Sequence, residues 1–391
     1  MAKNTPTNSF IPAFTRHSTM DYSKPVPGKL MFEALQNEKC IVMACNIRIG
    51  ACARGIMMAA KELDAAVMFE IAKSEIKYTS QPPKAFVDNI LKCAKEVGFN
   101  QPYLIHGDHI GIKTPDAKDV NSAADLIKDE IASGFTSFAI DASHNFNIDA
   151  PTVREQLKDN IEITTKLCGL IPKGACLEVE VGEVGRVDPK TGEKAITTVE
   201  EAETYIKAIN DNGYKPDLLA TNNGTSHGNI YDKAGNPIPK SINVERTGEI
   251  ARVIRKYGVR IAQHGITGTP FEYMPRLIDA GIAKGNVGTN WQNIALAVMP
   301  QDLAKRMEEW TLKCEESAKM REKKPGVKDA ELIGKNIKNS IGTFKTEIDN
   351  LKGEDLKRLD EATKKGALEF FKAFQAQGSA GKVRKYIESK K

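Results

Sequence analysis

The chain has 391 residues, 41% of them hydrophobic and 27% charged, with a formal net charge of +5. Such a composition excludes disordered and fibrous classes and leaves room for one large barrel or two ordinary domains. From Gln301 onward there are 22 Lys and Arg against 16 Asp and Glu, a sign-alternating helical pattern that reads as a solvated face and not as a nucleic-acid site. In chain order, β-rich runs fall at 40–46 (CIVMACN), 65–71 (AAVMFEI), 102–108 (PYLIHGD), 137–143 (SFAIDAS), 176–182 (CLEVEVG), 217–223 (DLLATNN), 260–265 (RIAQHG) and 285–290 (GNVGTN). Amphipathic helical stretches lie between them, as at 122–135, 198–214, 244–259 and 271–282, with apolar residues at i, i+3, i+4 and i+7. Gly134, Gly213, Gly258 and Gly281 stand where those helices should stop.

Eight strands alternating with helices predict an α/β fold, a (β/α)8 TIM barrel. An open doubly wound sheet would want a phosphate loop after its first strand, and CNIRIGACARG matches neither GxGxxG nor the Walker pattern. The expected organisation is an N-terminal arm over 1–28, a barrel over 29–310 and a helical extension over 311–391. REKKPGVKD (321–329) would be a linker within the extension, whose helices would pack on the barrel or on a partner subunit.

No apolar run reaches the roughly 18 residues that span a membrane, and the opening MAKNTPTNSFIPAF lacks the order of a signal peptide. Seven cysteines, at 40, 45, 52, 93, 168, 176 and 314, form no CxxC pair and mostly sit in apolar segments. That usage suits a reducing compartment, so the expected location is cytoplasmic.

In such a barrel the chemistry gathers at the C-terminal ends of the strands. The third strand ends in His106, Asp108 and His109; the fifth carries Glu178 and Glu180 on one face; the sixth runs on to His227; the seventh ends in His264. Four of the six histidines thus fall at one rim. Three imidazoles with an open fourth position form a catalytic zinc arrangement, able to polarise a carbonyl and stabilise an enediolate. His144 is a reserve ligand, and His17 lies outside the set. The stretches HGITGTP (264–270) and GNVGTNWQ (285–292) offer backbone N–H groups and hydroxyls where barrels often hold phosphate.

These features together resemble the class II, zinc-dependent ketose-bisphosphate aldolases, the fructose- and tagatose-bisphosphate family, over residues 28 to 295. The resemblance rests on HGDH (106–109), LEVEVG (177–182), NGTSHGNIY (223–231), HGITG (264–268) and KGNVGTNWQ (284–292). It implies one catalytic zinc per chain, held by His109, His227 and His264, with Glu180 offering a displaced second position and Glu178 and His106 in support. It also implies a monovalent cation beside the phosphate site and a homo-oligomer. Asp108 would exchange a proton with the C4 hydroxyl, while Gly228, Gly265, Thr267, Asn286 and Thr289 would hold substrate and its phosphate. The implied reaction is reversible cleavage of a phosphorylated ketose, fructose 1,6-bisphosphate foremost, to dihydroxyacetone phosphate and glyceraldehyde 3-phosphate.

The sequence departs from the family in several places. The stretch after the fifth strand, GEVGRVDPKTGEK (182–194), has three glycines and charges of both signs, as a closing lid would. Asp188 falls where the enolising Glu is expected, with Glu183 and Glu193 as rivals, and Tyr231 or Lys233 stands in for a displaced basic residue. Gly288 replaces an Asp, and Glu70 would repel a phosphate dianion if it faced one. Segments such as VGFNQPYLIHGDHIG (97–111) also resemble the GatZ/KbaZ-type accessory subunits. The alternative they imply is a non-catalytic, sugar-phosphate-binding barrel that supports a partner tagatose-bisphosphate aldolase. A Schiff-base aldolase would need a lysine at a strand end, and the sixth and seventh strands end without one.

Overall fold

A computed structural model describes residues 21–182, 195–225, 230–231, 237–238 and 242–390. Eight parallel strands close into a barrel: β1 (Val42–Asn46), β2 (Val67–Ala72), β3 (Tyr103–Gly111), β4 (Ser137–Asp141), β5 (Cys176–Val181) and β6 (Leu218–Thr221) come first. A small antiparallel ribbon of β7 (Ile230–Tyr231) and β8 (Pro237–Ile238) precedes β9 (Arg260–Gln263) and β10 (Ile282–Val287). Around the barrel the order is β1-β10-β9-β6-β5-β4-β3-β2, so all eight expected barrel strands form. The last differs in extent. The run expected over 285–290 starts instead at Ile282 and ends at Val287, because Lys284, a poor strand former by composition, is fully buried in it.

Alternation along the strands builds the interior in two levels. Val42, Ala44, Met68, Leu104, Cys176 and Leu218 form an apolar floor, closed from below by Met31 and Phe32 of helix Gly28–Ala34 and by Leu35, which caps it. Two residues further along β2, β3 and β5 the same face turns polar: Met68 gives way to Glu70, Leu104 to His106, and Cys176 to Glu178 and Glu180. The outward faces of the strands meet the helices in a second, larger apolar layer. The four expected helix-stop glycines all have positive φ, between 79° and 105°, the left-handed turn that glycine makes without steric cost.

The C-terminal helices wrap the barrel. Helix Gln301–Lys313 runs through the position of the expected boundary at 310. The long helix Gly353–Ala373 lies along Cys52–Glu62 and Thr289–Val298, and Arg54 binds both carboxylate oxygens of Asp360 at 3.0–3.1 Å. Helix Ser379–Ser389 returns to the floor, where Val383 and Ile387 join the apolar plug. At the opposite end the turn Ile337–Asn339 meets helix Lys73–Thr79, which follows β2. No described helix is long and apolar enough to cross a membrane.

Candidate active site

A defect in β3 sets the site. Gly107 pairs with Phe138 and Ile110 with Ile140, so one residue too many is spent on β3. The surplus falls on Asp108-His109, and His109 takes φ 42°, a left-handed conformation that costs a non-glycine residue on the order of 1 kcal/mol or more. Gly107 is required beside it: a Cβ there would lie 2.2 Å from Glu130 Oε2. Glu130 is fully buried, and burial pushes its carboxyl well above the usual range.

His109 and His264 face each other, with His109 Nε2 2.6 Å from His264 Nδ1. Each ring is held by carboxylates through its other nitrogen. The Nδ1–H of His109 donates to Asp141 Oδ2 and lies 3.1 Å from Glu180 Oε2; the Nε2–H of His264 donates to Glu178 Oε1 at 2.9 Å. As the rings stand, the Nε2–H of His109 donates to His264 Nδ1: burial opposes the charge on His109, but Glu180 and Asp108 more than offset it and raise its pKa well above the usual imidazole range. Without that proton the two ring lone pairs would be directed toward one point, where a cation takes its place. Histidines backed by carboxylates are the usual partners of a bound metal, so the donor set fits the expected ion. Asp108 completes a group whose ligand atoms all lie within 4.8 Å of one another, and His109, Asp141 and Glu180 form an adjoining group.

Asp108 is buried and oriented. Its Oδ2 accepts from Asn46 Nδ2 at 2.9 Å and its Oδ1 from Asn286 Nδ2 at 3.1 Å. Burial opposes its charge, but His109 and Lys284 more than offset that and hold its carboxyl well below the usual range. Gly288 stands directly against Asn46: a Cβ would meet Asn46 Oδ1 at 3.0 Å. The position where the family's Asp is missing is therefore one that lets Asn46 reach Asp108.

Beneath the rim lies a charge cluster the sequence did not disclose. Lys284 Nζ donates to Glu178 Oε2 at 2.8 Å and to His106 Nε2 at 3.1 Å, and lies 3.2 Å from Glu70 Oε2. The Nδ1–H of His106 donates to Ser137 Oγ at 2.7 Å. Burial and the Lys284 ammonium lower the His106 pKa to about 3; the ring is neutral. Glu70, His106 and Asp108 also form a converging donor group, but Lys284 already supplies a cation there. Glu70 therefore does not repel a phosphate: it is absent from the cavity wall and pairs inside the barrel. Lys284 is a strand lysine, one position ahead of the run expected over 285–290. Its carboxylate neighbours outweigh burial and raise its pKa, keeping the amine protonated and unsuited to attack a carbonyl.

These groups open onto a cavity of about 720 Å³. Gly265, Thr267, Asn286 and Thr289 line it, as do His144, Arg48, Tyr78 and Lys338. His144 is exposed and belongs to none of the converging donor groups among the described residues. Asp188, Glu183, Glu193, His227, Gly228 and Lys233, together with the side chain of Tyr231, lie outside the described residues. Reading by sequence missed Asn46, Arg48, Asp141, Lys284 and Lys338. Of these, Asn46, Arg48 and Asp141 stand at or just past strand ends and could have been found there.

The chain matches the family described as "Fructose-bisphosphate aldolase class-II" over residues 26–378. It is 27% identical over 280 residues to the fructose-bisphosphate aldolase of Geobacillus stearothermophilus, covering 71% of this chain and 85% of that one. Among solved structures, the YdjI aldolase of Escherichia coli K12 superposes with a TM-score of 0.58 at 18% identity, covering 90% of this chain and 98% of that chain. The fructose-bisphosphate aldolase of Campylobacter jejuni does so with 0.57 at 17%, covering 92% and 100%; at those identities the likeness speaks for the fold. The family match is broader, for it takes in all eight barrel strands, both facing histidines and the long helix of the extension, and the chain belongs to the class II fructose-bisphosphate aldolase family.

Proposed function

We propose that the chain is a zinc-dependent aldolase that reversibly cleaves a phosphorylated ketose, fructose 1,6-bisphosphate foremost, to dihydroxyacetone phosphate and glyceraldehyde 3-phosphate. The observation that carries this reading is the pair of carboxylate-backed imidazoles facing each other beside a buried, ionised Asp108. His109 and His264, with His227 as third ligand, would hold the ion, and Glu180 offers it a second position. A zinc ion bound there supplies a Lewis acid that polarises the ketone carbonyl.

The remaining work falls to the chain's own groups. In cleavage, Asp108 takes the proton of the C4 hydroxyl, and Asn46 and Asn286, donating to one oxygen each, hold its carboxylate in place. Gly265, Thr267 and Thr289 present backbone N–H groups and hydroxyls to the ketone's phosphate at the ends of β9 and β10. Gly228 joins them by resemblance. Asp188, with Glu183 and Glu193 as rivals, moves the C3 proton in the direction of synthesis. The enzyme is read as cytoplasmic and homo-oligomeric.

The test is a screen of phosphorylated ketoses that reads triose-phosphate release with and without chelator, beside metal analysis of the purified chain. About one zinc per chain, chelator-sensitive cleavage and recovery with zinc or cobalt are expected. Full activity after verified metal removal would refute the metal mechanism. A chain that retains zinc but cleaves no ketose would be the non-catalytic subunit instead.

A further inference from the structure

The loops proposed above to hold the ketone's phosphate follow β9 and β10, which are neighbours in the barrel. At their inner end a backbone bond joins them: the Ile266 N–H donates to Asn286 O at 3.3 Å. Ile266 is fully buried against β10, where a Cβ on Gly285 would come within 2.6 Å of its Cδ1 and 3.2 Å of Phe374 Cε2. Further along, the first loop passes through Pro270 into the turn Phe271–Tyr273, and the second enters helix Thr289–Val298.

At that outer end a side chain of the C-terminal extension bridges them. Phe370, in the last turn of helix Gly353–Ala373, meets Phe271 edge-to-face with ring centres 4.9 Å apart, and meets Trp291 with centres 5.8 Å apart. Phe374, which caps the same helix, backs Phe370 at 5.7 Å, and its carbonyl accepts from the Ile41 N–H at 3.0 Å, just before β1. The bridging ring is thus anchored to the barrel from behind. Trp291 is buried, and its Nε1–H has no acceptor among the described residues, so packing alone places that ring. Phe271 is 39% exposed, and the Phe370 ring is the aromatic surface it rests on.

An anion gripped by donors on two separate loops binds tightly only where their spacing is set beforehand; otherwise binding must supply the ordering. Phe370 does not line the cavity, so it acts on the ligand through the loops alone. We propose that Phe370 is a positioning residue for phosphate recognition: it holds the loop of Gly265 and Thr267 at a set distance from Thr289, and the extension thereby sets the affinity of the cavity for phosphate. The part given to the loops rests on the aldolase reading; the clamp rests on the ring contacts.

Calorimetric binding of glycerol 3-phosphate, which has no carbonyl to cleave, to the purified full chain tests this, beside zinc affinity by chelator competition. Phe370→Leu should weaken that binding about tenfold, the scale of two lost aromatic pairs, and leave zinc affinity within about twofold. Phe370→Tyr keeps the ring and should bind the probe as the wild-type chain does. Phe371→Leu removes the neighbouring ring, fully buried in the same turn; it should lower stability to urea and leave phosphate affinity unchanged. Phe271→Ala opens the clamp from its exposed side and should reproduce most of the loss, and it carries the comparison if Phe370→Leu does not fold. Amide hydrogen exchange over 265–273 should quicken in Phe370→Leu and Phe271→Ala but not in Phe371→Leu. Wild-type affinity in Phe370→Leu and Phe271→Ala overturns the proposal, as does an equal loss in Phe371→Leu or a parallel loss of zinc. A wild-type chain that does not bind glycerol 3-phosphate would refute the phosphate reading of the loops and the inference with it. Wild-type binding that Phe370→Leu leaves untouched would refute the inference alone.

Discussion

Lys284→Met removes a fully buried ammonium from the interior of the barrel while keeping the length of the side chain. Two of its neighbours are held ionised, Glu178 at 2.8 Å and Asp108 at 3.8 Å. Glu70, at 3.2 Å, is pushed up by burial and by Asp108 and is the neutral member. At an effective dielectric of about 20, the two ionised contacts amount to about 6 and about 4 kcal/mol of gross attraction. Desolvation offsets much of this, and truncating one side of such a buried cluster has a typical net cost of about 3–5 kcal/mol. That is a large share of the roughly 5–15 kcal/mol by which domains are stable. Equilibrium urea unfolding, followed by the fluorescence of the buried Trp291 and by circular dichroism, measures it. Lys284→Met with Glu178→Gln should recover about 1 kcal/mol or more, since Gln removes a stranded charge yet still accepts from His264. The single variant should also bind zinc more weakly, on the order of tenfold, as Glu178 loses its anchor behind a ligand. A Lys284→Met protein within about 1 kcal/mol of wild type, or a double variant no more stable than the single, would refute the charge assignment.

Asp108→Ala should retain zinc by metal analysis yet lose carbon–carbon cleavage by roughly 10²–10⁴, the usual worth of a positioned acid or base; near-normal turnover would contradict the role. Gly288→Ala places a Cβ 3.0 Å from Asn46 Oδ1 and should lower kcat about tenfold by turning Asn46 away from Asp108. Asn46→Ala should reproduce the loss, and a wild-type rate in both would remove Asn46 from the mechanism. Burial and Lys284 push the His106 pKa in the folded chain down to about 3, against about 6.5 for an ordinary imidazole, so its neutral form stabilises the fold above about pH 6.5. That contribution is lost progressively as pH falls toward 3, and His106→Gln should flatten the dependence of unfolding free energy on pH across the window by up to about 1.4 kcal/mol per pH unit. A slope unchanged by the substitution would show that His106 titrates normally.

The barrel was legible because its evidence is local: alternation in the strands, helical periodicity between them and glycines at the helix stops. HGDH was legible for the same reason, as four adjacent residues ending a strand. Lys284 was not, because what makes a lysine tolerable in a core strand is Glu178 and His106, 106 and 178 residues away in sequence. The polar identity of the upper interior could be read strand by strand; the pairing within it could not. Lys338 was hidden differently. Its neighbours in the extension are mostly exposed and paired at i,i+4, as Lys335–Glu331 and Lys345–Asp349 are, and the sequence alone gives no sign that one of them turns inward. Glu70 was misplaced because position marks a strand end but not the depth to which its side chain reaches.

The surplus residue in β3 has a consequence for how this site can change. In an unbroken strand neighbouring side chains project to opposite faces, so two groups on one face, such as the acid/base and metal ligand proposed for Asp108 and His109, would be two positions apart. The bulge makes them adjacent, joined by a single peptide unit whose geometry barely flexes. Their separation therefore cannot be adjusted by loop motion or by a neighbouring substitution, as the distance between groups on different strands can. It is fixed by chain connectivity, and a one-residue deletion that restored the regular ladder would turn His109 out of the barrel while leaving every other strand in register. Variation in such a chain is pushed away from this pair, toward the walls of the cavity.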